Sequence, residues 1–256
     1  MNRLDKLFAE KKKDILNVYH TAGYPKLGST AEVMQALQDN GADIIEIGMP
    51  YSDPLADGLV IQQSNLVALD NGMSIPLLFN QLANMRDTIH IPVILMGYLN
   101  PVMQYGLTSF CEAADKAGID GIILPDLPLL EYESEYRDVF RSNGLHFIFL
   151  VTPETSESRI RKIDSLSSGF IYAVSSSSTT GNTAPIEQQE DYFKKLQDMN
   201  LVNPILVGFG ISDSSTFRVA CQYSRGAIIG SAYIRALTND TDIGRATKEF
   251  LNKVTG

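Results

Sequence analysis

Apolar positions along this 256-residue chain follow two alternating patterns. Short runs dense in β-branched residues occur at 15–23 (ILNVYHTAG), 43–49 (DIIEIGM), 91–100 (IPVILMGYLN) and 120–128 (DGIILPDLP). Four more follow at 145–153 (LHFIFLVTP), 169–176 (GFIYAVSS), 203–212 (NPILVGFGIS) and 226–232 (GAIIGSA). Runs this short and this apolar read as strands buried on both faces. Between them lie segments of helical spacing. STAEVMQALQDNG opens on a Ser/Thr cap and ends at Gly41, YGLTSFCEAADKAG ends at Gly118, and DSSTFRVACQYS opens on a cap. Leu4, Leu7 and Phe8 mark a further short amphipathic helix ahead of the first strand.

Strict alternation predicts a parallel sheet with right-handed crossovers. Eight strand–helix units in a chain of this length predict an α/β fold: a single (β/α)8 TIM barrel over 1–256 with an extra N-terminal helix. A doubly wound open sheet is the alternative. No linker or composition shift divides the chain. The serine-rich stretch 175–184 (SSSSTTGNTA) reads either as a surface loop or as a mobile lid after strand six.

Strand parity then locates charge. In DIIEIG, Ile45 and Ile47 share one face, whereas Ile44, Glu46 and Gly48 share the other. Two isoleucines suit the helix-facing side, so Glu46 is expected to point at the barrel axis near the strand's C-terminal end, where barrel enzymes do their chemistry. A buried carboxylate is costly unless it is paired or used, and no Lys or Arg stands in any of the eight strand runs. The same absence removes a Schiff-base lysine. His20, His90 and His146 are scattered, which argues against a metal centre; His90 is expected to face solvent, and His20 and His146 to be satisfied structural residues. What remains is carboxylate acid–base chemistry without a cofactor. Asp57, eleven residues beyond Glu46 on the following loop, can fold back over the mouth. Asp53 is its rival, although Ser-Asp-Pro is also an ordinary turn signature.

The ends of strands seven and eight read GFGIS and GSA. Loops in these two places form the recurrent phosphate site of barrel enzymes, and Gly208, Gly210, Gly230 and Ser231 would present backbone N–H groups and a helix N-terminus to an anion. The alternative is that these glycines make tight turns. The formal net charge of −9 argues against nucleic-acid binding. The first 14 residues have no signal-peptide core, and no run approaches a membrane span, so a cytoplasmic protein is expected. Cys111 and Cys221 read as reduced packing residues.

EIGMPYSDPLADG resembles the signature of the tryptophan synthase alpha subunit family, and HTAGYP, GYLNP, PDLP, GFIY, GFGIS and GSA extend the resemblance over the whole chain. The resemblance implies a lyase that splits indole-3-glycerol phosphate into indole and glyceraldehyde 3-phosphate by a retro-aldol route, in L-tryptophan biosynthesis. It implies Glu46 as the proton-shuttling acid/base and Asp57 as the carboxylate on the indole N–H. By the same resemblance Tyr172 lies beside the glycerol chain, and Tyr19, Tyr98 and Phe209 form walls of the indole slot. The resemblance also implies that Gly181, Gly210, Gly230 and Ser231 hold phosphate. It further implies a pyridoxal-phosphate-dependent beta subunit as partner in an alpha2-beta2 complex with an indole tunnel, contacted near Asp53, Asn100 and Pro101. Leu59 stands where the family commonly has proline, Met49 where a branched aliphatic is usual, and the serine-rich stretch replaces more usual glycine, arginine and valine. Two other functions compete: a different phosphosugar barrel, which would use lysine or cysteine at strand ends, and a non-catalytic activator of a beta subunit.

Overall fold

The computed structural model describes residues 2–174, 189–208 and 210–256. One parallel sheet runs through β1 (Ile15–Thr21), β2 (Ile44–Gly48), β3 (Val93–Met96) and β4 (Gly121–Ile123). It continues through β5, in two segments at His146–Phe147 and Leu150–Val151, then β6 (Ile171–Val174), β7 (Ile205–Gly208) and β8 (Gly226–Ile229). β8 pairs with β1, and the two segments of β5 are the two ends of the sheet order. The sheet therefore closes on itself through β5. Ile148 N donates to Ile122 O on one side, and Tyr172 N to Phe149 O on the other, both at 3.0 Å. The expected open-sheet alternative falls away.

The fifth strand departs from the continuous run expected at 145–153. Ser168 Oγ accepts from Phe147 N at 3.2 Å, and Ser167 Oγ accepts from Phe149 N at 3.3 Å. Serine hydroxyls ahead of β6 thus take N–H groups that a regular ladder would use, and the strand breaks there.

Alternation along the strands separates two cores. Leu16, Val18, Ile45, Ile47, Val93 and Leu95 pack outward under the helices. Ile15, Ile44, Ile94, Ile123, Ile148, Leu206 and Ile228 pack inside the barrel. The N-terminal helix Arg3–Glu10 sends Leu4 and Phe8 into that inner core, with the Phe8 ring 6.0 Å from Phe170. Asn2 caps this helix at Leu4 N (2.9 Å), and its amide also donates to Asp120 O (2.9 Å) and Gly144 O (3.0 Å). The helix accordingly stoppers the N-terminal end of the barrel.

Other helices follow the pattern of the sequence. Leu107–Ala117 ends on Gly118 at φ 81°, and Ser214–Tyr223 opens with Asp213 and Thr216 in a reciprocal cap. The helix Ser29–Asp39 differs from expectation, because Gly28 rather than a hydroxyl residue stands at its cap. His90 is exposed. His146 Nε2 lies 3.0 Å from Asp5 Oδ1, which ties β5 to the N-terminal helix. His20 departs from the expectation of a satisfied histidine: it is fully buried, and among the described residues neither ring nitrogen has a well-formed hydrogen bond. Burial lowers its pKa to about 4, so it is neutral. Cys111 and Cys221 are both free.

Candidate active site

Glu46 leaves β2 on the inward face, as parity requires, and is 1% exposed. Its backbone neighbour across β1 is Tyr19. Its carboxylate reaches Asn17, whose Nδ2 donates to Oε2 at 2.6 Å. No ion pair holds it among the described residues. Burial pushes its pKa up to about 8; the Asn17 bond opposes this, and the nearby Asp57 adds to it.

Asp57 is brought over the barrel mouth by the loop after β2. Asp57 N donates to Pro54 O (3.0 Å), and Ala56 N donates to the Tyr98 hydroxyl oxygen (2.9 Å), so the turn is pinned from β3's end of the barrel. Gln62 then donates to Asp57 O (2.8 Å) from the helix Leu59–Asp70. Burial pushes the Asp57 carboxyl up to about 6, against hydrogen bonds from Tyr98 and Asn65 that favour its ionised form. At neutral pH the two carboxyls therefore differ: Glu46 carries a proton and Asp57 is ionised. Environments that separate two carboxyls in this way are compatible with one serving as an acid and the other as a base.

Both groups line a cavity of ≈ 500 Å³, together with Tyr19, Tyr172, Ile61 and Met96. That volume suits a small-molecule ligand. Two strand-end glycines make room for the tyrosines. A Cβ on Gly48 would fall 2.0 Å from the Tyr19 hydroxyl oxygen, and one on Gly208 would fall 2.3 Å from the Tyr172 ring. Burial raises both phenols well above their usual range, so they act as neutral hydroxyls.

Gly210, Ser212, Gly230 and Ser231 line the same cavity. Gly230 caps the nine-residue helix Ser231–Asn239, whose first N–H groups lack intrahelical acceptors. Gly210 sits at φ 75°, a conformation that glycine adopts without strain. Among the described residues, Arg235 is the one basic side chain in the lining. It stands one helical turn beyond Ser231, and helical side chains lean toward the N-terminus, which places it above that turn.

The remaining expectations divide. Asp53 is exposed and bonded to Ser52 Oγ at 2.5 Å, and among the described residues Asp57, not Asp53, lines the cavity. Tyr98 stands behind Asp57 rather than in the lining. Asn100 is exposed, with its amide 3.3 Å from the Tyr51 hydroxyl, and Pro101 follows it on the helix Leu99–Tyr105. Gly181, Phe209 and the stretch 175–184 lie outside the described residues. Sequence reasoning missed Asn17, Asn65, Ser212 and Arg235. Asn17 carried a usable signal, being an amide at the inward parity of an apolar run; Arg235 carried one in its spacing from Ser231. Among the described residues, no three His, Cys, Asp or Glu side chains are grouped to hold a metal ion, and no helix is long and apolar enough to cross a membrane.

The profile of the family described as "Tryptophan synthase alpha chain" matches residues 5–255. The tryptophan synthase alpha chain of Flavobacterium psychrophilum is 52% identical over 241 residues, covering 94% of this chain and 95% of the relative. The crystal structure of tryptophan synthase subunit alpha from Legionella pneumophila superposes with a TM-score of 0.89 at 34% identity, covering 100% of this chain and 97% of that one. A chain of the tryptophan synthase complex from Pyrococcus furiosus superposes with a TM-score of 0.86 at 30% identity, covering 95% and 98%.

Proposed function

This chain belongs to the tryptophan synthase alpha chain family, and from that membership we infer that it serves L-tryptophan biosynthesis as the alpha subunit, a carbon–carbon lyase acting on indole-3-glycerol phosphate. The observation that supports the chemistry is the pair of buried carboxyls on a single cavity, where burial raises Glu46 further than Asp57.

The reaction proceeds by proton transfers alone. Protonated Glu46 gives its proton to indole C3 while Asp57 takes the indole N–H proton, producing the tautomer in which the ring nitrogen can accept electrons. Glu46, now a carboxylate, removes the proton of the hydroxyl on the adjacent glycerol carbon. The C–C bond breaks, its electron pair returns to the ring, and Asp57 reprotonates the nitrogen. Indole and glyceraldehyde 3-phosphate result, with both carboxyls restored. Tyr19 and Tyr172 flank the reacting carbons, and Tyr98 holds the Asp57 turn. The first N–H groups of the helix at Ser231, with Gly210 and Arg235, receive the phosphate.

The indole-release assay tests this directly. Asp57→Asn should keep the fold and lower kcat by roughly 10²–10³-fold, because the ring nitrogen loses its base; a variant releasing indole at the parental rate would remove Asp57 from the mechanism. Glycerol 3-phosphate at a hundred times its dissociation constant should stabilise the chain by about 2.7 kcal/mol. For a domain of this size that is a rise in Tm on the order of 5–10 °C. An unmoved melting curve at millimolar ligand would dismiss the phosphate site.

One barrel domain over 1–256 carries this activity in the cytoplasm. The surface around exposed Asp53 and Asn100 also exposes Leu55 (84%) and Met103 (45%). Apolar side chains at a polar rim suit a docking face for a beta subunit, in an alpha2-beta2 complex through which indole passes by an internal tunnel.

A further inference from the structure

Asn17 and Glu46 leave each other's hydrogen bonding incomplete in complementary ways. Asn17 Nδ2 donates to Glu46 Oε2 at 2.6 Å. The second oxygen of each group, Asn17 Oδ1 and Glu46 Oε1, is buried with no partner among the described residues. Neither residue is more than 1% exposed. Two buried acceptors on one bonded pair lack a single hydrogen, and a buried unsatisfied acceptor is costly.

One proton on Glu46 Oε1 supplies it. The acid O–H then donates to Asn17 Oδ1 while Nδ2–H still donates to Oε2, closing an eight-membered ring of acid and amide. We propose that Asn17 and Glu46 form this acid–amide pair before substrate binds, and that Asn17 is the positioning residue that stores the proton of Glu46 until the ligand draws it out. The surroundings agree. Among the described residues, the charged and titratable groups sharing the cavity with Glu46 are Asp57 from the loop, Tyr19 from β1, Tyr172 from β6 and Arg235. Asp57 favours the neutral acid, and both tyrosines stay uncharged. An amide suits position 17 because it both donates and accepts. After the proton leaves, Nδ2 still stabilises the carboxylate and Oε1 is free to act as base. Where the proton goes rests on the acid–base reading above; the pair itself does not.

Infrared difference spectra of the full, ligand-free chain against Glu46→Gln read the pair without turnover. At pH 7 the wild type should show a protonated, hydrogen-bonded carboxyl band that disappears as pH rises through about 8. Asn17→Leu should move that band to the higher frequency of an unbonded acid, and lower kcat about 10-fold with KM changed less than twofold. Asn17→Ser, which keeps one hydroxyl, should shift it part of the way and serves if the leucine variant does not fold. Only ionised carboxylate bands at pH 7, as a water bridging the two oxygens would give, overturn the pair; so does a protonated band that neither variant moves. A band that behaves as expected in a chain that releases no indole would uphold the pair and overturn the acid–base reading instead.

Discussion

Glu46→Gln should nearly abolish indole release while making the protein more stable at alkaline pH. The kinetic loss follows from the two steps this carboxyl serves, each worth ~10²–10⁴-fold. The stability gain follows from linkage. An unfolded glutamate titrates near 4.5, whereas burial holds the folded group at about 8. Between those values the folded chain keeps a proton that the unfolded chain releases, so stability falls as pH rises and the full deficit remains above about 8. The shift corresponds to a deficit on the order of a few kcal/mol. Glutamine carries no such deficit, and it offers Asn17 both an acceptor and a donor. The variant should therefore melt above the wild type at about pH 9, with the difference closing toward pH 4.5. Equal melting temperatures across that range would mean that Glu46 is not held in a desolvated site, and normal turnover would end its assignment as the proton shuttle.

Asp120→Ala should cause the largest loss of stability. Asp120 is 1% exposed and stands at the closed end of the barrel. Its carboxylate accepts from Arg86 Nη2 (2.6 Å), Val93 N (2.9 Å), Arg3 Nη1 (3.1 Å) and Arg3 N (3.3 Å). Arg86 is itself largely buried, and its other donors are taken by the carbonyls of Gly118, Ile89 and Ile91. Deleting the carboxylate leaves a buried guanidinium without its counter-charge and Val93 N–H without an acceptor. Breaking one side of such a pair costs ~3–5 kcal/mol, a fall in Tm on the order of 10 °C for a chain this long. Arg3 is the control: its side chain is 41% exposed, and Arg3→Ala should cost no more than about 1 kcal/mol. Urea titrations of both variants decide the matter, and similar small losses for the two would show that the Arg86–Asp120 pair contributes little.

Strand parity carried most of what the sequence could say. Two isoleucines flanking Glu46 fixed which way the carboxyl faced, because a period of two leaves only two choices. The turn composition around Asp57 was legible, but its placement was not. That depends on Tyr98, 42 residues away in sequence, reaching Ala56 N. The broken fifth strand was hidden for a related reason: Ser167 and Ser168 look like loop residues until folding brings their hydroxyls against Phe147 and Phe149. Asn17 was visible as a polar intruder in an apolar run, yet its meaning required the register that sets β1 beside β2. Arg235 needed the phase of a helix whose start only the structure fixes.

The stopper formed by Leu4 and Phe8 has a kinetic consequence. With one end of the barrel corked, the described residues leave the opposite mouth as the doorway for arrivals and departures alike. Glyceraldehyde 3-phosphate must vacate its berth before the next substrate can settle, and it should inhibit competitively.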